Sequence, residues 1–127
     1  MRTLVLCSGI LAVLYAVLSV NVSVTRLRRR KDAPITEAQL TKAIRAHGNA
    51  AEYIPLFVAG FLFLSTGGPD IILSVIAVVA TASRFAHAAG MFRIATVNER
   101  HPLRYYGALG TYICLFALAV ALLLRAF

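Results

Sequence analysis

The sequence predicts an all-α membrane protein, a bundle of four transmembrane helices. Hydrophobic residues make up 60% of the 127-residue chain, more than an ordinary soluble domain can bury against itself. The charges lie in clusters between long uncharged runs, as in spans joined by polar connections. The length allows one domain, over residues 1–127. Cys7 and Cys114 fall in apolar runs, so we interpret them as packing residues.

The first and last spans are long uncharged runs. Residues 3–25 carry no charge, and as a helix rising roughly 1.5 Å per residue they reach about 35 Å, enough to cross a hydrocarbon core of about 30 Å. Because basic residues follow this run, we interpret it as a retained span and not as a signal peptide. The last span is predicted over residues 103–125, around an uncharged run from Tyr105 to Leu124.

The two middle spans must include polar residues to cross a bilayer. The uncharged runs 53–65 and 71–83 each reach only about 20 Å as helices, which is too short. The second helix can begin earlier, because Thr36 and Gln39 predict a capping box. The two spans and the turn between them are therefore predicted at 36–65, 71–92 and 66–70.

Basic residues predict the orientation of the spans. Those of the first connection are Arg26, Arg28, Arg29, Arg30, Lys31, Lys42 and Arg45, and those of the third are Arg84, Arg93, Arg100 and Arg104. Arg2 and Arg125 remain for the opposite face. The positive-inside rule therefore predicts cytoplasmic connections and periplasmic termini. We attribute the cluster at 26–31 to topology and anionic lipid headgroups, and expect no nucleic-acid partner.

A polar stripe interrupts the second span. On a helix, Arg45, Asn49 and Glu52 fall within about 60° of one another, whereas His47 points the other way. A matching stripe on the third helix comprises Arg84, His87 and Met91. Charged side chains at membrane depth face a bundle interior or a wet cavity, so we expect the two stripes to face inward.

Two interpretations of the stripes stay open on the residues alone. The first is a structural ion-pair network that joins Glu52 to Arg84 or Arg104. The second is a site for a small anionic ligand, because the basic and imidazole side chains outnumber the one carboxylate and arginine forks grip carboxylates. The cationic set is Arg26, Arg45, Arg84, His87 and Arg104. No zinc or phosphate-loop pattern is visible, so no metal site is predicted.

Small residues and one proline also carry structural expectations. Small residues let membrane helices approach one another closely, and the glycines expected to do so are Gly9, Gly60, Gly90, Gly107 and Gly110. Pro55 is expected to bend the second helix without ending it.

The stretch "RAHGNAAEYIP" (45–55) resembles the signature of the MAPEG family, the membrane-associated proteins in eicosanoid and glutathione metabolism. The matched positions are Arg45, His47, Asn49, Glu52 and Pro55. The stretches "VTRLRRR", "SRFAHAAGM" and "HPLRYYG" resemble the basic end of the family's first helix, the Arg-x-x-His stretch of its third and the entry to its fourth. The similarity covers nearly the whole chain and is greatest to bacterial members.

The resemblance implies a homotrimer in the bacterial inner membrane, with glutathione bound between neighbouring subunits near the cytoplasmic side. Carried across by position, its glutathione-binding residues are Arg26, Arg45, Asn49, Glu52, Arg84, His87 and Tyr105. Arg104 is the expected catalytic residue, because a nearby cation favours the thiolate form of a thiol. The implied activity is that of a glutathione transferase or peroxidase acting on a lipophilic substrate from the bilayer. The sequence departs from many members at Gly48 and Met91.

A non-catalytic bundle or a small transporter is the alternative function. Small multidrug transporters also have four spans at about this length, but they depend on an acidic residue in the first span. Residues 3–25 contain none. Such transporters favour cationic substrates, whereas the predicted site is positively charged, so the glutathione interpretation is preferred.

Overall fold

The computed structural model describes residues 2–31, 34–68 and 70–126. These residues form four α-helices and a short 3₁₀ turn at Ser65–Gly67. The helices are α1 (Arg2–Arg30), α2 (Glu37–Leu64), α3 (Ile71–Arg93) and α4 (Pro102–Ala126). Each is long and apolar enough to span a membrane, which confirms the predicted all-helical, four-span fold class. Pro69, in the predicted turn, lies outside the described residues.

Helix α1 buries one leucine-rich stripe and exposes the rest of its surface. The buried leucines are Leu4, Leu11, Leu14 and Leu18. Their helical spacing places them on one face, and α1 contacts α2 and α3. Most of its valines are exposed, Val13 at 63%. Lipid hydrocarbon is the medium that satisfies an apolar face of this extent.

Helix α2 begins at the predicted capping box. The Thr36 hydroxyl accepts a hydrogen bond from Gln39 N at 3.2 Å, and the Thr36 N–H donates to Gln39 Oε1 at 2.8 Å. Two amides that have no helical acceptor are thereby satisfied. The helix continues through Pro55 to Leu64, so the proline does not end it. The polar and apolar parts of α2 therefore belong to one continuous helix.

Helices α3 and α4 lie so close that glycines stand where side chains would collide. A methyl group placed on Gly107 would lie 2.5 Å from His87 N and 2.8 Å from Ser83 O. One placed on Gly90 would overlap the backbone of Arg104. Neither distance is possible for a real Cβ atom, so glycine at these positions sets the separation of the two helices.

The glycine prediction holds at four of the five positions. Gly60 lies against the Leu118 side chain and Gly110 against Ser83, in addition to Gly90 and Gly107. The prediction for Gly9 is wrong within this chain, because no atom lies within 4 Å of a Cβ placed there. Gly9 is exposed, so its position on α1 faces away from the other helices.

The connection between α3 and α4, residues 94–101, is tied to the helices around it by two cationic side chains. Lys42 Nζ on α2 donates a hydrogen bond to Ile94 O at 2.8 Å, where α3 has just ended. Arg104 Nη1 on α4 donates to Val97 O at 2.6 Å. These two bonds hold the connection against the polar ends of the helices.

Candidate functional site

A cavity of about 550 Å³ lies between the polar ends of α2, α3 and α4. Its volume is within the range of roughly 300–1,000 Å³ that is typical of small-molecule sites. It is lined by Ile44, Arg45, Gly48, Asn49, Glu52, His87, Met91, Val97, Asn98 and Arg104. The predicted polar stripe of α2 and most of the predicted stripe of α3 therefore lie on one cavity.

Helix α2 supplies one complete wall of the cavity. Arg45, Asn49 and Glu52 are spaced so that one face of the helix presents all three. Gly48 lies on the same wall, and a Cβ placed there would meet no atom within 4 Å. The missing side chain thus leaves open space on this wall at Gly48.

Helix α3 supplies the buried floor of the cavity. His87 and Met91 are both buried and lie one turn apart. Gly90, between them in sequence, rests against the backbone of Arg104, so the glycine contact brings the α4 arginine beside this floor. His87 Nδ1 is buried without a hydrogen-bond partner in the described part of the chain. A ligand in the cavity could supply that partner.

Arg84 lies behind the cavity wall and does not line the cavity. The residue is 1% exposed, and its guanidinium donates to Asn49 Oδ1 at 2.8 Å and to Thr111 Oγ1 at 3.3 Å. The Tyr53 ring lies beneath it, with its centroid 5.4 Å from Arg84 Cζ. The predicted ligand residue therefore contacts a cavity residue, Asn49, instead of the cavity itself.

The ion-pair network that the sequence left open does not form within the chain. The salt bridge found across residues 2–31, 34–68 and 70–126 joins Arg29 to Glu37, where α1 ends and α2 begins. In the same residues Glu52 makes no salt bridge with Arg84 or Arg104. The cavity and the wall behind it therefore contain one carboxylate, that of Glu52, and three arginines: Arg45, Arg84 and Arg104. The region carries uncompensated positive charge.

Arg104 serves both the cavity and the α3–α4 connection. It is half-buried and lines the cavity, while its Nη1 donates to Val97 O at 2.6 Å and to Glu99 O at 3.3 Å. Its Nε and Nη2 donate no hydrogen bond to the residues that the structure describes. One edge of the guanidinium is thus committed to the connection, and the other edge is available to a ligand.

Comparison with known proteins agrees with this architecture. The MAPEG family model matches residues 4–124. The chain belongs to the MAPEG family. It is 35% identical over 89 residues to the inner membrane protein YecN of Escherichia coli strain K12, an alignment that covers 65% of this MAPEG chain and 68% of YecN. The YecN protein of E. coli O6:H1 strain CFT073 matches with the same figures.

Membership of the MAPEG family agrees with a membrane location and relates the chain to proteins of glutathione chemistry. With four candidate spans, this MAPEG protein is an integral membrane protein. Its similarity to a protein named as an inner membrane protein supports the inner membrane. The MAPEG family includes glutathione transferases and peroxidases.

Two predicted site residues of the MAPEG chain lie away from the cavity. Arg26, on α1, lines two other cavities on the α1–α2 side, of about 740 and 190 Å³. Tyr105 is 66% exposed, its ring packs edge-on against Tyr106 at 5.3 Å, and it does not line the 550 Å³ cavity. His47 stacks on Tyr15 of α1, with ring centroids 5.1 Å apart, in agreement with its predicted position opposite the stripe.

Three residues that line the cavity were not identified from the sequence. Ile44 precedes the polar stripe on α2, and Val97 and Asn98 reach the cavity from the α3–α4 connection. Val97 and Asn98 lie in a loop, and loops carry a disproportionate share of binding residues. Sequence periodicity does not predict which way a loop residue faces. The position of Asn98 follows from the hydrogen bonds by which Lys42 and Arg104 hold the connection.

Proposed function

We propose that this MAPEG protein binds glutathione in the 550 Å³ cavity and activates its thiol as a thiolate for attack on a lipophilic electrophile or hydroperoxide. The observation that carries the proposal is the cavity itself. Arg45, Asn49, Glu52, His87 and Arg104 surround one space of small-molecule size. The space is positively charged and lies at the end of a membrane bundle.

The residue types suit the groups of glutathione. The tripeptide carries two carboxylates, one ammonium and one thiol. Arg45 and one edge of Arg104 offer guanidinium donors that fit a carboxylate or thiolate. Glu52 offers the cavity's carboxylate to the ammonium, and Asn49 offers an amide to the peptide groups or a carboxylate.

Arg104 is the proposed thiolate-stabilising residue. A cation beside the sulfur favours loss of the S–H proton to solvent. In the transferase reaction, the thiolate forms a C–S bond with the electrophile, and the leaving group departs with its electron pair. In the peroxidase reaction, two glutathione molecules reduce one hydroperoxide, giving glutathione disulfide, an alcohol and water.

A second copy of the chain is proposed to complete the site. Arg26 does not line the glutathione cavity; it lines two cavities on the α1–α2 side, and the smaller of these shares Ile44 with the glutathione cavity. Arg26 is proposed to reach the ligand in the cavity of a neighbouring subunit. We propose a homotrimer, the assembly implied by the family resemblance, with Arg26 of one subunit beside the cavity of the next.

The cavity is proposed to open on the cytoplasmic side. Arg26 to Lys31, at the end of α1, and Arg100, after α3, lie at the same end of the bundle as the cavity, and the positive-inside rule retains such basic ends in the cytoplasm. Alkaline phosphatase fused after residue 126 is expected to be active, because that end then lies in the periplasm. Activity of a fusion after residue 100 instead would overturn the orientation.

The first test is titration of the detergent-purified protein with glutathione, reading thiolate ultraviolet absorbance and heat of binding together. Saturable binding with thiolate formation is expected. Binding without thiolate would overturn catalysis and indicate a carrier or sensor. Absence of binding at millimolar glutathione would overturn the proposed function.

Substitutions of the cavity residues test which of them bind glutathione and which stabilises the thiolate. Arg45→Ala and Glu52→Ala are expected to fold and assemble but to weaken glutathione binding, because each removes a charged partner of the ligand. Arg104→Ala should retain binding and lose the thiolate absorbance. The matched control is Arg100→Ala, an exposed arginine that does not line the cavity, which should leave both signals unchanged.

Mixed subunits test the trimeric site directly. Arg26→Ala and Arg45→Ala proteins are each expected to bind glutathione more weakly than the wild type when made alone. Co-expressed in equal amounts, they should recover about a quarter of the wild-type sites, because each interface draws its two halves at random. If Arg26 acted within its own chain, mixing would recover nothing.

A further inference from the structure

We infer that Arg84 is a positioning residue that fixes the Asn49 side chain, so that the α2 wall presents only hydrogen-bond donors to the part of the ligand that faces Asn49. This inference rests on the proposed function for the identity of the ligand. It assigns to Asn49 the recognition of an acceptor group, a carboxylate or carbonyl oxygen.

The first observation is the isolation of Arg84. This α3 residue is 1% exposed, and its guanidinium has no salt-bridge partner in the described ranges. Burying an unpaired cation in a membrane bundle is costly, so each neutral acceptor around it has large energetic weight. Those acceptors are Asn49 Oδ1 and Thr111 Oγ1.

The Thr111 hydroxyl can only accept from Arg84. Thr111 is fully buried, and its own hydroxyl hydrogen is donated to Gly107 O at 2.7 Å, one turn earlier on α4. A lone pair of the same oxygen therefore faces Arg84 Nη1. This arrangement holds the guanidinium from the α4 side, and Asn49 holds it from the α2 side.

The orientation of the Asn49 amide follows from the chemistry of arginine. A guanidinium has donors and no acceptor, so the Asn49 atom 2.8 Å from Arg84 Nη2 must be the carbonyl oxygen. The NH₂ group is then the other in-plane substituent of Cγ, turned away from Arg84, and Asn49 lines the cavity. Without Arg84 the amide could rotate and offer the ligand either its oxygen or its nitrogen.

The α2 wall of the cavity therefore offers donors and acceptors to a ligand in a fixed order. Arg45, one turn before Asn49, is also a pure donor, and Glu52 begins the acceptor part of the same helical face. A ligand must therefore place oxygen acceptors toward Arg45 and Asn49, and its ammonium toward Glu52. This order along α2 specifies the direction in which an amino-acid-like ligand lies.

Substitution of Asn49 separates affinity from stability. Asn49→Asp keeps the shape of the side chain and gives Arg84 a carboxylate partner, so the thermal unfolding midpoint should equal or exceed that of the wild type. The same change replaces the donor facing the cavity with a carboxylate oxygen, so glutathione affinity should fall about tenfold to hundredfold. Asn49→Ala should be less stable than Asn49→Asp and yet bind glutathione more tightly.

Substitution of Arg84 tests positioning. Arg84→Met should weaken glutathione binding, because the amide is released, and Arg84→Lys should restore part of it, because lysine can still donate to Asn49 Oδ1. Thr81→Val is the control for lost stability, since Thr81 is a buried residue on the same helix whose hydroxyl donates to Ala77 O and, among the described residues, bonds to no other group. It should retain wild-type affinity.

The outcomes distinguish this inference from the proposed function. If wild-type protein binds glutathione and Asn49→Asp binds equally well, or if affinity follows stability across all variants, the positioning role is overturned. If wild-type protein binds no glutathione, the proposed function fails. The same variants are then titrated with glutarate, a simple dicarboxylate, and equal affinities for wild type and Asn49→Asp overturn the inference.

Discussion

Two helix pairs in the same bundle are held together in different ways. The α1–α2 pair packs through side chains: α1 buries a leucine stripe that includes Leu11 and Leu14, and α2 buries alanines such as Ala46 and Ala50. The α3–α4 pair instead brings backbone against backbone at Gly90 and Gly107. The first pair is therefore spaced by side chains and the second by the absence of side chains.

The two kinds of interface differ in how easily the helices can shift against each other, and the less adjustable one is the α3–α4 pair. Lipid hydrocarbon is as apolar as a leucine side chain, so helix association in a membrane depends on packing and hydrogen bonds more than on the hydrophobic effect. A backbone contact cannot adjust by changing a rotamer, whereas a leucine interface can. The rigid pair supplies His87, Met91 and Arg104 to the cavity, so the fixed separation belongs to the elements that shape the candidate site.

The largest effect is expected from Gly107→Ala. The added methyl group would lie 2.5 Å from His87 N, so α3 and α4 must move apart, at a cost of about 3 kcal/mol, the upper end for overpacking. The thermal unfolding midpoint in detergent measures this loss. Gly9→Ala on α1 is the control, with open space at its Cβ, and should be neutral or up to about 1 kcal/mol stabilising through helix propensity. If Gly107→Ala and Gly9→Ala changed the unfolding midpoint equally, the α3–α4 backbone contact would not be the rigid interface described above.

A smaller effect is expected from Leu11→Ala in the side-chain interface. Leu11 is fully buried, and in a soluble core such a change costs about 2–5 kcal/mol. In a membrane protein the transfer part is largely lost, because the unfolded helix still contacts lipid, so about 1–2 kcal/mol is expected from lost packing. Val13→Ala, at a lipid-facing position, should change the midpoint little. A Leu11 effect as large as that of Gly107→Ala would contradict the comparison.

The helix caps come next in size. Thr36→Ala removes the side-chain half of the capping box of α2 and should cost about 1 kcal/mol. Hydrogen exchange should increase at the amide of Gln39. Asp70→Ala is the counterpart on α3, where Asp70 Oδ1 accepts from Ile72 N at 2.8 Å and from Leu73 N at 3.1 Å. Exchange that rises throughout either helix would show a global effect instead of a local one.

The smallest effect belongs to the salt bridge between α1 and α2. The Arg29 and Glu37 side chains are 44% and 72% exposed, so solvent screens their attraction, and Arg29→Ala should cost only a few tenths of a kcal/mol. Any loss should vanish as salt is raised. A loss that persists at about 1 M salt, where charges are screened within about 3 Å, would show that Arg29 contributes through packing.

The sequence predicts features that a single helix determines. The α2 stripe could be read from spacing alone, because Arg45, Asn49 and Glu52 keep the same angular relation wherever the helix lies. The capping box at Thr36 is equally local, since its partner Gln39 is three residues away. Such features depend on the backbone geometry of one helix, and they appear in the structure as predicted.

Features that depend on how helices are rotated against each other could not be predicted. Nothing in the sequence distinguishes Gly9 from Gly107, yet one faces open space and the other faces His87. Arg84 and Asn49 are 35 residues apart, and their hydrogen bond exists only because α2 and α3 meet at those turns. The exposure of Tyr105 likewise follows from the rotation of α4, which the sequence pattern does not specify.

Pro55 gives α2 a property that no other helix of the bundle shares within the described residues. Proline has no backbone N–H, so the carbonyl of Ala51 loses its helical donor. This weakened turn lies beside Glu52, at the boundary between the half of α2 that lines the cavity and the half that runs on through the apolar bundle. At that boundary α2 has one backbone hydrogen bond fewer than an uninterrupted helix, so its two halves are joined more weakly there than elsewhere along the helix.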